Sequence, residues 1–356
     1  MTTTNTTTVT VERVAVETAM MVRMGMDVHA GDAVVCVQYG DQLPKPPRRM
    51  EPGEVVEMAG ELVRSGAKVW SCYEAGPCGY TLHRQLSAVG VSNVVVVPRR
   101  WDPEGGRVKT DRRDARALCD ALDRHVRGNT TAFSVVRVPT PEQEERRALG
   151  RQRAALVKER QRCIVRGHGL VLLAGMQLAG GWWRSTSWAK LAPELPEGLR
   201  ARVGVWAEQA QRLDAEVERW SAAVEQDGAK LVPKGVGVLT GGLIEREVLD
   251  WTRFANRRAV ASYTGLCPSE RSTGLSRRQG TINKHGNPRL RHLLVEAVWR
   301  LEQWQPDYPP VRRLMATTGA RARKRAAVAA ARRLAIDLWR INTGQCPAER
   351  LGLKLR

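Results

Sequence analysis

No C-x-x-C pair occurs anywhere in the 356-residue chain. Its seven cysteines stand apart at 36, 72, 78, 119, 163, 267 and 346, and the six histidines do not gather around them. That scatter and the odd count exclude a disulfide framework and a zinc site, and point to reduced thiols in a cytoplasmic protein. No apolar run approaches the length that crosses a bilayer, and no signal-peptide pattern is present, so no membrane partner is expected. Acid is in short supply as well. Against 57 Lys and Arg stand 37 Asp and Glu, a formal charge of +20 with an isoelectric point of about 10.4. A surplus of that size selects a polyanionic partner, and nucleic acid is the usual one. The surplus is uneven. Residues 271–356 hold 19 Lys and Arg against 5 Asp and Glu, which marks the last quarter of the chain as the main polyanion-gripping surface.

What is present is enough for two or three folded domains, with 42% hydrophobic residues. Residues 1–22 open on Met1-Thr2-Thr3-Thr4-Asn5-Thr6-Thr7-Thr8 and read as a polar, disordered tail. Two β-rich runs around Asp27 and Val34, parted by Ala30-Gly31, predict a hairpin that opens a sheet. Helical spacing follows over 50–65, then a strand at Lys68–Glu74 broken by Gly76-Pro77, and a helix over 80–89. The apolar run Val94-Val95-Val96-Val97 predicts a buried parallel strand. After a glycine-containing loop at 101–108 comes Lys109-Thr110-Asp111-Arg112-Arg113-Asp114-Ala115-Arg116, two acids three residues apart among four cations. On a helix Asp111 and Asp114 share a face, where they repel unless a cation stands between them. The residues alone leave two readings open, a salt-bridged surface helix or a metal site.

The second reading gains from the rest of the sheet. Ligands of open α/β sheets gather at the carboxyl ends of strands. Glu74 sits at such an end, Asp27 can sit beside it, and Asp111 and Asp114 can approach from a helix packed on the sheet. Four carboxylates suit Mg²⁺ or Mn²⁺, and two such ions clamp a phosphodiester in line. Three segments, Gly25-Met26-Asp27-Val28-His29, Tyr73-Glu74-Ala75-Gly76-Pro77-Cys78-Gly79-Tyr80 and Lys109–Leu118, resemble in order and spacing the DEDD-type transposases related to the Piv DNA invertase. The resemblance implies an α/β RuvC-like (RNase H) catalytic domain over 23–140, with Asp27, Glu74, Asp111 and Asp114 as its metal-binding tetrad.

Over 141–231 the pattern is helical. One charged helix runs from Pro141 to about Leu173, residues 175–187 interrupt it, and a second runs from about Pro196 to Leu231. Two long helices about a turn read as an antiparallel coiled-coil arm or as a plain packed hairpin. Trp182 and Trp183 in the interruption read as core or interface residues, with base stacking as the other option.

Residues 232–356 begin with a glycine-rich turn, Val232-Pro233-Lys234-Gly235-Val236-Gly237, that resembles a helix-hairpin-helix element able to hold a phosphate. Further on, Gly265–Asn287 packs hydroxyls, glycines and cations into one loop. Arg277, Arg278, Lys284 and Arg289, with Arg291 in the helix that follows, are the candidate nucleic-acid contacts there. The segment also resembles the C-terminal transposase domain of the same family, through Gly265-Leu266-Cys267-Pro268, Ser272-Thr273-Gly274 and Ile282–Asn287. That domain uses a serine to form a covalent phosphoserine link to DNA. Ser272 is the nucleophile this implies, Thr273 the alternative given the register of the hydroxyl pair, and Ser276 a distant third. A helix over 289–304 and a basic one over 320–341 complete a mainly helical C-terminal domain.

The resemblance spans about Arg23 to Trp339. It implies an insertion-sequence recombinase, bacterial and nucleoid-associated, acting as a dimer or tetramer on element ends and target DNA under a structured bridge RNA. Two other functions stay open at this point. A RuvC-like nuclease would hydrolyse DNA with no covalent intermediate and would have no need of the Ser272 region. A non-catalytic DNA-binding remnant would not need four intact acids.

Overall fold

The computed structural model describes residues 19–98, 110–226, 231–270, 276 and 279–356. The expected tail through residue 18 and the loop at 101–108 lie outside the described residues. The chain divides into two compact units, residues 1–138 and 139–356.

The N-terminal unit is a mixed five-stranded sheet. Strands β1 (Met21–Val28) and β2 (Ala33–Tyr39) form the expected antiparallel hairpin, with Asp27 opposite Val34. Strand β3 (Arg48–Met50) adds to β2 at one edge. Helix α1 (Pro52–Arg64) then leads to β4 (Lys68–Glu74), which lies parallel to β1. Helix α2 (Thr81–Ala88) leads to β5 (Ser92–Val96), parallel to β4, and α3 (Asp111–Val126) follows. The spatial order is β3-β2-β1-β4-β5. This architecture is compatible with an RNase H-like domain.

Side chains alternate across the sheet, so each face has its own cover. Met24, Met26, Tyr73 and Val95 pack under Val55 and Ala59 of α1 and Leu82 and Leu86 of α2. On the other face Cys72 and Val96 meet Leu118 and Leu122 of α3, and Val34 and Cys36 meet Ala115 and Cys119. Cover on both sides explains the unbroken valine run in β5. Gly25 is where α3 presses hardest. A Cβ there would lie 2.1 Å from the Cys119 nitrogen and 2.6 Å from the Ala115 carbonyl oxygen, both backbone atoms that cannot step aside. Gly25→Ala is therefore expected to destabilise the protein by about 1–3 kcal/mol, the usual range for overpacking, measured by urea unfolding; a change below about 0.5 kcal/mol would show that α3 is free to lift.

The C-terminal unit is mostly helical. Helix α4 (Pro141–Leu173) starts with a capping box between Thr140 and Gln143 and a proline in its first turn. After α5 (Ser185–Leu191) comes α6 (Glu197–Gln226). Ion and hydrogen-bond pairs Arg153–Ser221, Arg160–Asp214 and Cys163–Gln209 show α6 running antiparallel along α4. Trp182 and Trp183 are buried against this pair with Leu199, Val203 and Ala207, which makes them core residues. Gly167 makes room for the Trp182 ring, which lies 2.3 Å from where its Cβ would stand.

Beyond it lie α7 (Val238–Val248), α8 (Arg257–Thr264), a two-stranded hairpin β6 (Pro268–Glu270) and β7 (Gln279–Ile282), and then α9 (Pro288–Trp304), α10 (Pro309–Met315) and α11 (Ala320–Asn342). Leu290, Leu294, Val298 and Leu301 of α9 interlock with Leu314 of α10 and Ala331, Leu334 and Leu338 of α11. Within that core Asp337 is buried, accepting from Tyr308 Oη and Arg333 Nε at 2.8 Å each. No helix among the described residues is long and apolar enough to cross a membrane.

Candidate metal centre and serine hairpin

The carboxyl edge of the sheet gathers acid. Met26 pairs with Tyr73 in the β1–β4 register, so Asp27 and Glu74 come next on their parallel strands, both on the face that α3 covers. Asp27 is thus at the strand end rather than in mid-strand. Helix α3 begins at Asp111, behind an extended Thr110 whose carbonyl accepts from the nitrogens of Arg113 and Asp114. Its first turn carries Asp111 and Asp114, where the helix dipole favours negative charge.

Asp27, His29 and Asp111 form one group, with a ligand atom from each lying within 4.8 Å of the other two. His29 Nε2 stands 3.7 Å from Asp27 Oδ2 and 3.5 Å from Asp111 Oδ2. Arg49, from β3, donates Nη2 to Asp111 Oδ2 at 3.0 Å and pairs through Nη1 with Asp32. The hydrogen bond to Asp32, with Asp111 adding to it, holds the Arg49 guanidinium above its ordinary pKa, so it stays a firm cation. A recess of about 350 Å³ opens beside Asp111, lined also by Val34, Arg49, Thr110 and Arg112.

Two carboxylates and an imidazole fit a small divalent cation. Hard carboxylate oxygens suit Mg²⁺ and Mn²⁺, with ligand bonds of about 2.1 Å for the former, and only a slight closing of the three side chains would bring all of them onto one ion. Of the four acids expected here, the fold brings Asp27 and Asp111 together. Glu74 and Asp114 lie at the same end of the same sheet face but outside that group of three. His29 completes the group without standing out in the sequence. Its signal was its place two residues beyond Asp27, at the end of a strand.

In the C-terminal unit, Ser272, Thr273, Arg277 and Arg278 lie outside the described residues; Ser276 is exposed. The base of the β6–β7 hairpin is closely packed. Gly286 abuts backbone, its would-be Cβ only 2.5 Å from Gly265 N and 2.6 Å from the Tyr263 carbonyl. Asn287 caps α9 by accepting from the nitrogens of Arg289 and Leu290. Its Nδ2 donates to Glu247 Oε2 at 2.7 Å. Glu247, on α7, is 5% exposed and also faces Arg147 and Arg151. Lys284 takes a left-handed turn at φ 59°. Arg291 donates to the carbonyls of Thr264 and Lys284, so it ties the two ends of the hairpin together. Arg289 and Lys234 are exposed; in the glycine-rich turn the nitrogens of Lys234 and Val236 already donate to the carbonyls of Lys354 and Pro233.

Residues 24–174 match a transposase family model of the DEDD type, and residues 233–310 match the transposase IS116/IS110/IS902 family. A Sinorhizobium fredii protein named as a transposase, y4rJ, is 31% identical over 308 residues, 76% of each chain. A second from that organism, y4qE, is 33% identical over 244 residues, 68% of this chain and 60% of its own. The transposase for insertion sequence element IS1111A of Coxiella burnetii is 27% identical over 290 residues, 77% of this chain and 78% of its own. Acid at the sheet edge and two matched family segments in order agree: the chain belongs to the IS110/IS116 family of insertion-sequence transposases, enzymes that move DNA by phosphodiester transfer.

Proposed function

We propose that this transposase cuts and rejoins element-end and target DNA with two sets of groups. One is an acid centre of Asp27, Glu74, Asp111 and Asp114; the other is a serine nucleophile, Ser272, with Thr273 as the alternative hydroxyl. The observation that carries the reading is the convergence of Asp27 and Asp111, from strand and helix, on one point with His29. The four carboxylates would hold Mg²⁺ or Mn²⁺, which when bound neutralises charge on the phosphoryl oxygens. The other residues act on the DNA itself. Arg277, Arg278, Lys284 and Arg289 cradle the phosphate, and Lys234 and Arg291 belong to the same basic surface. The serine oxygen bonds to phosphorus and gives up its proton as the P–O bond to the departing nucleoside oxygen breaks, and that oxygen takes up a proton. The protein would act as a dimer or tetramer, with a structured guide RNA choosing the sequence by base pairing while the protein reads shape and backbone.

Incubating the protein with Mg²⁺, element-end DNA and transcribed flanking RNA tests this. A covalent protein–DNA adduct is expected, resolved on a denaturing gel and lost in Ser272→Ala. Retention in that variant with loss in Thr273→Ala moves the role one residue along. Cleaved ends with no adduct in the wild type would remove the serine step.

A further inference from the structure

We propose that the C-terminal unit carries a nucleotide pocket of its own, a cavity of about 280 Å³ among α4, α7 and α9 that takes one phosphodiester of a nucleic-acid strand with the sugar or base attached to it. Four guanidinium groups line it, those of Arg147, Arg153, Arg246 and Arg289, against one carboxylate, Glu247. That carboxylate is already engaged by Arg147, Arg151 and Asn287, so it cancels little of the charge that remains. Arg153 is half-buried with Nε on Ser221 Oγ at 2.7 Å. Burial first, and the neighbouring Arg160 next, lower its pKa. Arg289 lies in the first turn of α9, where the helix dipole adds positive potential.

The choice of side chain points to phosphate. Every cation in the lining is arginine, whose planar fork matches phosphate oxygens in pairs, where lysine offers a point charge. The floor, with Val157, Leu243 and Leu293, is apolar. A site for a bare anion has no use for such a floor, whereas a sugar or an unstacked base does. The volume is near the lower end of small-ligand sites, room for one nucleotide and none for a duplex. A strand that leaves its partner, as DNA or as RNA, presents that unit.

The proposal rests on nucleic acid as partner and not on the acid centre, so it is tested in EDTA, where no cleavage occurs. Fluorescein-labelled twelve-nucleotide DNA and RNA of the same sequence are titrated with the full chain, and anisotropy is followed at several salt concentrations. Ala154→Trp puts a bulky group at the lip of the cavity with no change of charge. Arg153→Gln removes one phosphate contact. About tenfold weaker binding of at least one strand is expected in both, with the salt slope of Arg153→Gln falling by about 0.7. Arg350→Gln, which removes the same charge elsewhere on the surface, is expected to change affinity less than threefold. Loss confined to DNA or to RNA names the occupant and supports the pocket. In the wild type, ultraviolet crosslinking should attach the strand to peptides within 150–157 or 289–293, a readout that does not depend on how the variants fold. Crosslinks absent from both segments would overturn the proposal, as would variants that bind both strands as the wild type or Arg350→Gln does.

Discussion

Asp111→Asn is expected to lower DNA cleavage by at least about a thousandfold, about 4 kcal/mol of transition-state stabilisation, with no change in melting temperature beyond a degree or two. The substitution keeps the shape of the side chain and removes its charge. The fold has little to lose, because the Asp111 side chain is 43% exposed and Arg49 keeps its second partner, Asp32. The site loses one of the two carboxylates that meet near His29, so divalent-ion affinity should fall along with the rate. Titration of the variant with Mn²⁺, followed by its paramagnetic resonance signal, separates this from a defect in DNA binding. A variant that cuts at the wild-type rate would end the assignment of Asp111 to the metal centre.

Glu247→Ala is expected to cost about 3–5 kcal/mol of stability, the usual consequence of removing one member of a buried charge network. The carboxylate is almost wholly buried, and its loss leaves the Asn287 amide only Tyr263 Oη at 3.4 Å and the Arg147 side chain, itself only 13% exposed, only the backbone carbonyl of residue 247. Arg151 is 43% exposed and contributes little to the sum. For a unit of this size the loss corresponds to a fall of roughly 6–20 °C in the transition that reports on it. Glu247→Gln keeps an acceptor for Asn287 and should recover part of it. A calorimetric trace for Glu247→Ala that overlays the wild type would show that the network is not carried by this residue. Because Asn287 caps α9 directly after the hairpin base, the same variant should also lower transposition more than its stability alone predicts.

The long elements were legible because packing follows a repeating stripe. The apolar stripe of α9 announces that helix, and β4 reads as a strand from its composition and the breakers after it. What the sequence hid has tertiary causes. Arg48-Arg49-Met50 has no apolar alternation and becomes a strand only because β2 offers an edge. The short α10 opens on two prolines, and β6 and β7 lie in a stretch of glycine and hydroxyl residues that reads as loop. At the site, Asp27 and Asp111 could be linked through motif spacing, but His29 could not, since its approach to Asp111 depends on where α3 begins. Glu247 left a faint mark, one charge in a Glu245-Arg246-Glu247 triplet inside an otherwise apolar helix. Arg291 reads as a phosphate contact in sequence; that its Nη1 also donates to the carbonyls of Thr264 and Lys284 depends on the fold of the hairpin base.

The pairing of Arg49 with Asp111, and of His29 with both acids, has a bearing on handling the enzyme. Carboxylates drawn to one point normally push apart when no ion separates them, and many such proteins loosen under chelation. Here the chain brings its own cation, Arg49, to the spot, so the arrangement is held before any ion arrives. Stripping divalent ions should silence the enzyme without softening it, and adding them back should revive it in full.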